Sequence, residues 1–86
     1  MSRYYFHVQN GGLLKDEEGT DLEHADAARI EAAKLLGQLV AERPEDIWLG
    51  DAFTITVKDD AGLTMFLLDL AVTTSSAAPP CRLTRR

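Results

Sequence analysis

The chain is short of the residues that most catalytic and metal chemistry needs. Among 86 residues there is one cysteine, Cys81, and there are two histidines, His7 and His24. One cysteine closes no internal disulfide, which fits a reducing compartment. Structural zinc wants four ligands, commonly in close-spaced pairs, whereas His7, His24 and Cys81 stand singly. No run approaches the roughly 18 apolar residues that cross a bilayer. The opening MSRYYFHVQN has no basic stretch followed by an apolar one, so it does not read as a signal peptide. The expected location is the cytoplasm, with no membrane partner.

Nucleophilic catalysis finds no footing either. Ser2, Ser75, Ser76 and Cys81 lie near the chain ends with no base beside them. His7 and His24 could act as bases but have no nucleophile assigned near them. Gly11-Gly12 reads as a turn and not as a phosphate loop. Asp16, Glu17, Glu18, Asp21 and Glu23 form an acidic cluster, but their spacing does not match a calcium-binding EF-hand loop. The reading is a protein that is not an enzyme, with no catalytic residue, no metal site and no cofactor.

Positive charge is scarce in the body of the chain. Residues 1–72 hold 6 basic groups against all 14 acidic ones, a net of −8, while residues 73–86 hold only Arg82, Arg85 and Arg86, a net of +3. An acidic body repels phosphate backbones, so nucleic acid is not an expected partner of the folded part. The closing TTSSAAPPCRLTRR has few bulky apolar residues and reads as a disordered tail, leaving residues 1–72 as a single domain.

What remains is a clear alternation of elements. Arg3–Val8 is rich in aromatic and β-branched residues and reads as a strand, with Tyr4, Phe6 and Val8 on the core face and Tyr5 and His7 on a half-wet one. Asn10-Gly11 predicts a type I′ hairpin turn, which needs positive φ at both central residues, with Leu13-Leu14-Lys15 returning. The acidic loop from Asp16 to Leu22 contains Gly19, which permits positive φ, and its charge should complement a helix dipole. Asp21 or His24 is the candidate cap.

Ala25–Glu42 is the one long helical stretch. Ala28, Ala32, Leu35, Leu36 and Leu39 recur at spacings of three and four and should face a sheet. Ile30, Ala33, Gly37 and Val40 form a second apolar group on another side. A glycine inside a helix costs about 1 kcal/mol relative to alanine, and close approach of another backbone at Gly37 would offset it. Arg43-Pro44 stops the helix. The segment from Pro44 to Gly50 reads as a helical turn or loop, with Trp48 covering an end of the core. Phe53–Lys58 is the plainest strand, Asp59–Gly62 a hairpin loop, and Leu63–Val72 a strand apolar on both faces.

The opening RYYFHV, the DEEGTDL loop and an Ala/Glu-rich helix containing Ala27-Ala28-Arg29 and Glu31-Ala32 together resemble a family of small bacterial proteins classed as a domain of unknown function. The resemblance covers roughly residues 3–72 and implies no activity that could be carried over. The chain departs from the family's pattern at Glu23-His24, where Pro-Asp is common, and in its tail. A looser analogy, of architecture alone, is to antitoxin domains of the HicB type.

The expected fold is α+β: a two-layer β-β-α-β-β domain with one helix on a four-stranded antiparallel or mixed sheet. A chain this short has a net stability of about 3–5 kcal/mol and gains by hiding apolar surface against another copy. The expected function is therefore a non-enzymatic interaction or regulatory module, homodimeric or bound to another protein. The helix group Ile30, Ala33, Gly37 and Val40, or the sheet face bearing Tyr5 and His7, would be its interaction surface. One alternative is a small-ligand or catalytic domain using Tyr5 and His7; another is an antitoxin-like regulator.

Overall fold

A computed structural model describes residues 2–50 and 53–84. The elements are β1 (Ser2–Asn10), β2 (Leu13–Leu14), β3 (Thr20–Leu22), α1 (Ala25–Glu42), α2 (Pro44–Trp48), β4 (Phe53–Lys58) and β5 (Thr64–Leu70). One open antiparallel sheet runs β2-β1-β4-β5, with β3 also paired to β1. The α+β reading stands, with strands before and after the long helix. The sheet gains a fifth strand because Thr20-Asp21-Leu22 leaves the acidic loop to pair with Tyr4, Arg3 and Ser2. Its order is antiparallel throughout.

The core lies between α1 and one face of the sheet. Phe53, Ile55 and Val57 of the central strand β4 are fully buried, and Tyr4 and Val8 of β1 flank them. Ala28 and Ala32 are also fully buried. Their methyl side chains let the first half of α1 come down on β4, and Leu35, Leu36 and Leu39 fill the space further along. Each large apolar side chain withdrawn this way contributes about 1.5–3 kcal/mol before entropy is charged against it. The expected stripe is thus the core stripe.

The ends of α1 have local causes. His24 is its N-cap: the backbone there is extended, and Nδ1 accepts the Ala27 N–H at 3.1 Å. The acid in the first turn is Asp26. At the other end the Arg43 N–H reaches Leu39 O at 3.3 Å. Pro44 then opens α2, a position where its missing N–H costs nothing.

Two local expectations are corrected. The β1–β2 turn is not type I′. Only Gly11 has positive φ (76°), Asn10 stays in the strand, and the Asn10 N–H bonds to Gly12 O at 3.0 Å. Nor does Trp48 close the core: it is 50 % exposed, while its neighbour Ile47 is 8 % exposed. In a helical turn successive side chains diverge by about 100°, so only one of the two can point inward. Residues 73–84 carry no helix or strand and are exposed; Arg85 and Arg86 of the expected tail lie outside the described residues.

Candidate functional site

The outer margin of β1 is closed by polar groups. β2 pairs with Val8 and Gln9, and β3 with Ser2, Arg3 and Tyr4. Phe6 falls between these two stretches. Asp16 fills the gap: its Oδ2 accepts the Phe6 N–H at 3.1 Å, and its Oδ1 accepts the N–H groups of Gly19 (3.0 Å) and Glu18 (3.2 Å). The Asp16 N–H in turn donates to His7 Nδ1 at 3.1 Å. Burial pushes the Asp16 carboxyl up, but the three backbone donors and the nearby His7 outweigh it and hold the group below the ordinary carboxylate value.

Gly19 is built into the same knot. Its φ is +73°, and a Cβ there would meet Arg3 Cγ and Tyr5 Cε2 at 2.9 Å and Tyr4 O at 3.0 Å. Arg3 forks onto Asp21 through Nε (3.0 Å) and Nη2 (3.1 Å) and also donates to Glu18 O. The hydrogen bond and charge of Asp21 raise the Arg3 pKa above its ordinary value. The loop acids therefore organise a sheet margin; only Asp26 lies in the first turn of the helix. The signal for Asp16 was in the sequence, since Asp followed three residues later by Gly is the pattern of a side-chain-capped turn.

Between this margin and α1 lies a cleft of about 490 Å3. Phe6, Val8 and Leu35 form its apolar floor, and Lys15, Glu31 and Lys34 stand on its walls. Glu31 and Lys34 pair at 3.7 Å. The Asp16 carboxylate is occupied by backbone donors, which leaves Lys15 as a cation with no ion-pair partner among the described residues.

The opposite margin is different. Among the described residues β5 pairs only with β4. Phe66 and Leu68 join the core from the helix side. Met65 and Leu67 point to the face away from α1, where they are 42 % and 58 % exposed. That face also carries Thr54, Thr56 and Lys58 of β4 and Tyr5 and His7 of β1, with His7 opposite Thr56 and Thr56 opposite Leu67.

The six candidate interaction residues do not come together. Tyr5 and His7 lie on the sheet face away from the helix, half-buried and engaged: Tyr5 Oη donates to Asp60 Oδ1 at 3.5 Å, and His7 accepts from Asp16. Ile30, Ala33 and Gly37 are exposed on α1, with Val40 half-buried. Nothing lies within 4 Å of a Cβ placed on Gly37, so no described backbone approaches it and the expected compensation is missing. Among the described residues no three His, Cys, Asp or Glu side chains gather in a way that could hold a metal ion. Among the same residues no helix is long and apolar enough to cross a membrane.

A single long helix laid across an open antiparallel sheet, with one margin closed by a polar knot, defines a small two-layer α+β domain. The chain belongs to the family described as Domain of unknown function (DUF6894), which it matches over residues 3–71. The stretch that resembled such a family is therefore the stretch that carries the membership. No curated protein and no solved structure matches the chain.

Proposed function

We propose that this chain is a non-enzymatic interaction module that self-associates. The observation that carries the reading is the uncovered sheet face. β5 is apolar on both faces, yet α1 covers only one, and Met65 and Leu67 are left in water. A strand apolar on both faces is ordinarily covered on both. An 86-residue chain has little core with which to offset that exposure. A second copy supplies the missing cover at no cost in new sequence. The helix group Ile30, Ala33, Gly37 and Val40 offers a second surface of the same character.

Sedimentation velocity over a dilution series tests it. A dimer that dissociates as concentration falls through the micromolar range supports the proposal. A monomer that persists at several hundred micromolar, about −4 to −5 kcal/mol of association at most, would sink it.

The cleft beside Lys15 favours a second reading, a site for a small carboxylate with an apolar body. The acid would meet Lys15 and the body would lie on Phe6, Val8 and Leu35. Chemical shifts confined to those residues on titration with short fatty acids would support it; their absence at millimolar ligand would dismiss it.

A further inference from the structure

We propose that the self-association runs through the outer edge of β5, which pairs antiparallel with β5 of a second copy about a two-fold axis at Leu67. The inference rests on the self-association proposed above and places its contact at the strand edge, where Leu67 of each copy packs beside the other rather than over the face.

The backbone alternation sets which groups face outward. In antiparallel sheets successive residues aim their N–H and C=O to opposite sides. The Phe6 N–H points away from β4, toward Asp16, and Asn10 likewise bonds to Gly12. Tyr5, His7 and Gln9 therefore bond to Lys58, Thr56 and Thr54 across the β1–β4 ladder. Phe53, Ile55 and Val57 then turn to β5, where they meet Leu70, Leu68 and Phe66. Leu67 and Asp69 are left with N–H and C=O aimed outward; at Met65 the bulge opposite Val57 and Lys58 interrupts the alternation and turns the N–H back toward Val57. Among the described residues no backbone hydrogen bond reaches them from the tail, whose one such bond joins Ala78 to Ser75.

Natural edge strands are usually protected by shortness, lysine, proline or a bulge. β5 is 7 residues long and contains no Lys, Arg or Pro. Its register irregularity lies at one end, opposite Val57 and Lys58. Its one charge, Asp69, accepts a hydrogen bond from Thr54 Oγ1 at 2.6 Å.

These outward groups are self-complementary. A two-fold at Leu67 sets Leu67 against its own copy, where the two exchange backbone hydrogen bonds, and Asp69 against Met65, where the bulge limits the pairing. On the helix side it sets Phe66 against Leu68. Centring on Asp69 would oppose two like charges, which is destabilising, and would leave half the strand unpaired. If each α1 sits over its own β4, the two helices stand three strand spacings apart, about 14 Å. Packed helices are about 8–10 Å apart. Ile30 and Gly37 thus lie outside the contact.

The test is charge substitution at the axis, read by sedimentation equilibrium on the full chain, with circular dichroism and urea unfolding confirming the fold of each variant. Leu67→Lys alone and Leu67→Glu alone are each expected to weaken dimerisation at least tenfold, because each places like charges against each other. Mixed one to one, they are expected to recover a dimer, since Lys then faces Glu. Ile30→Glu is expected to leave the dimer intact. If both Leu67 variants dimerise like the parent, or the mixture does no better than either alone, the β5 edge is overturned while self-association stands. If the parent itself is monomeric throughout, self-association fails first, and β5 does not pair with a second copy.

Discussion

The two margins of the sheet solve the same problem in opposite ways. Beyond β1 the chain spends two strands of 2 and 3 residues and a polar loop. Asp16 stands in for a missing strand by taking the Phe6 N–H. Nothing is left there for another strand to pair with along the middle of β1. Beyond β4 lies a 7-residue apolar strand, and no further strand pairs with it among the described residues. One margin is capped from within; the other leaves hydrogen-bonding groups and apolar side chains uncovered among the described residues. The lesson is that a sheet edge is closed or open by the side chains that reach its backbone, and not by its position in the fold.

The largest expected effect comes from uncapping the closed margin. Asp16→Ala leaves three backbone donors without their acceptor, and hydrogen bonds to charged groups are worth about 1.5–3 kcal/mol each when well shielded. With partial exposure the expected loss is about 3 kcal/mol in all, comparable to the stability of so small a domain. Urea titration measures it. A loss below about 0.5 kcal/mol would show that the knot is decoration.

The same carboxylate makes an acid dependence. Its folded pKa is depressed, so folding favours the ionised form. The contribution is fully present above the unfolded value, about 3.9, and is lost as pH falls through the folded value. Urea midpoints taken between pH 6 and pH 3 should fall with acid. They should fall less steeply in Asp16→Asn, which cannot titrate at that position. An unchanged slope would remove Asp16 from the account.

Gly19→Ala is next. It forces a side chain into positive φ and against Arg3, Tyr5 and the Tyr4 carbonyl. Backbone strain of this kind costs about 1–3 kcal/mol, and thermal unfolding should register it. The smallest effect has the opposite sign. Gly37→Ala adds a methyl where nothing stands within 4 Å, and helix propensity alone gives about 1 kcal/mol of stabilisation. With association through β5, the dimer is unaffected. A weakened dimer would mean that a second helix approaches Gly37 closely, and the comparison of margins would then miss the true interface.

The parts legible in the sequence were those settled by local pattern. Phe53–Lys58 alternates β-branched and aromatic residues with polar ones and is bounded by turn residues, so it reads as a half-covered strand by itself. α1 is rich in alanine, shows one leucine stripe and ends before Pro44. Both apolar faces of Leu63–Val72 were visible too, which is why a second cover was expected. What was missed depends on distant partners. Thr20-Asp21-Leu22 is a strand only because β1 runs beside it. Asp16 is a backbone cap only because Phe6 lies across the loop. Ile47 and Trp48 are equally apolar, and only the turn of α2 decides which is buried.

His24 was one of two candidate caps, and the geometry selects it over Asp21, which is committed to Arg3. The open edge was the least legible of all. Which N–H groups face outward follows from pairings traced through four strands, and no window of sequence contains that information.

The difference between the margins is tested most directly by residue-resolved amide hydrogen exchange at about 10 µM and about 1 mM protein, either side of a micromolar dissociation constant. The account predicts that the Phe6 amide is protected equally at both concentrations. It predicts that the Leu67 and Asp69 amides exchange quickly in dilute solution and slow as the protein is concentrated. Exchange at Leu67 and Asp69 that ignores concentration, or a Phe6 amide as fast as solvent, would contradict it.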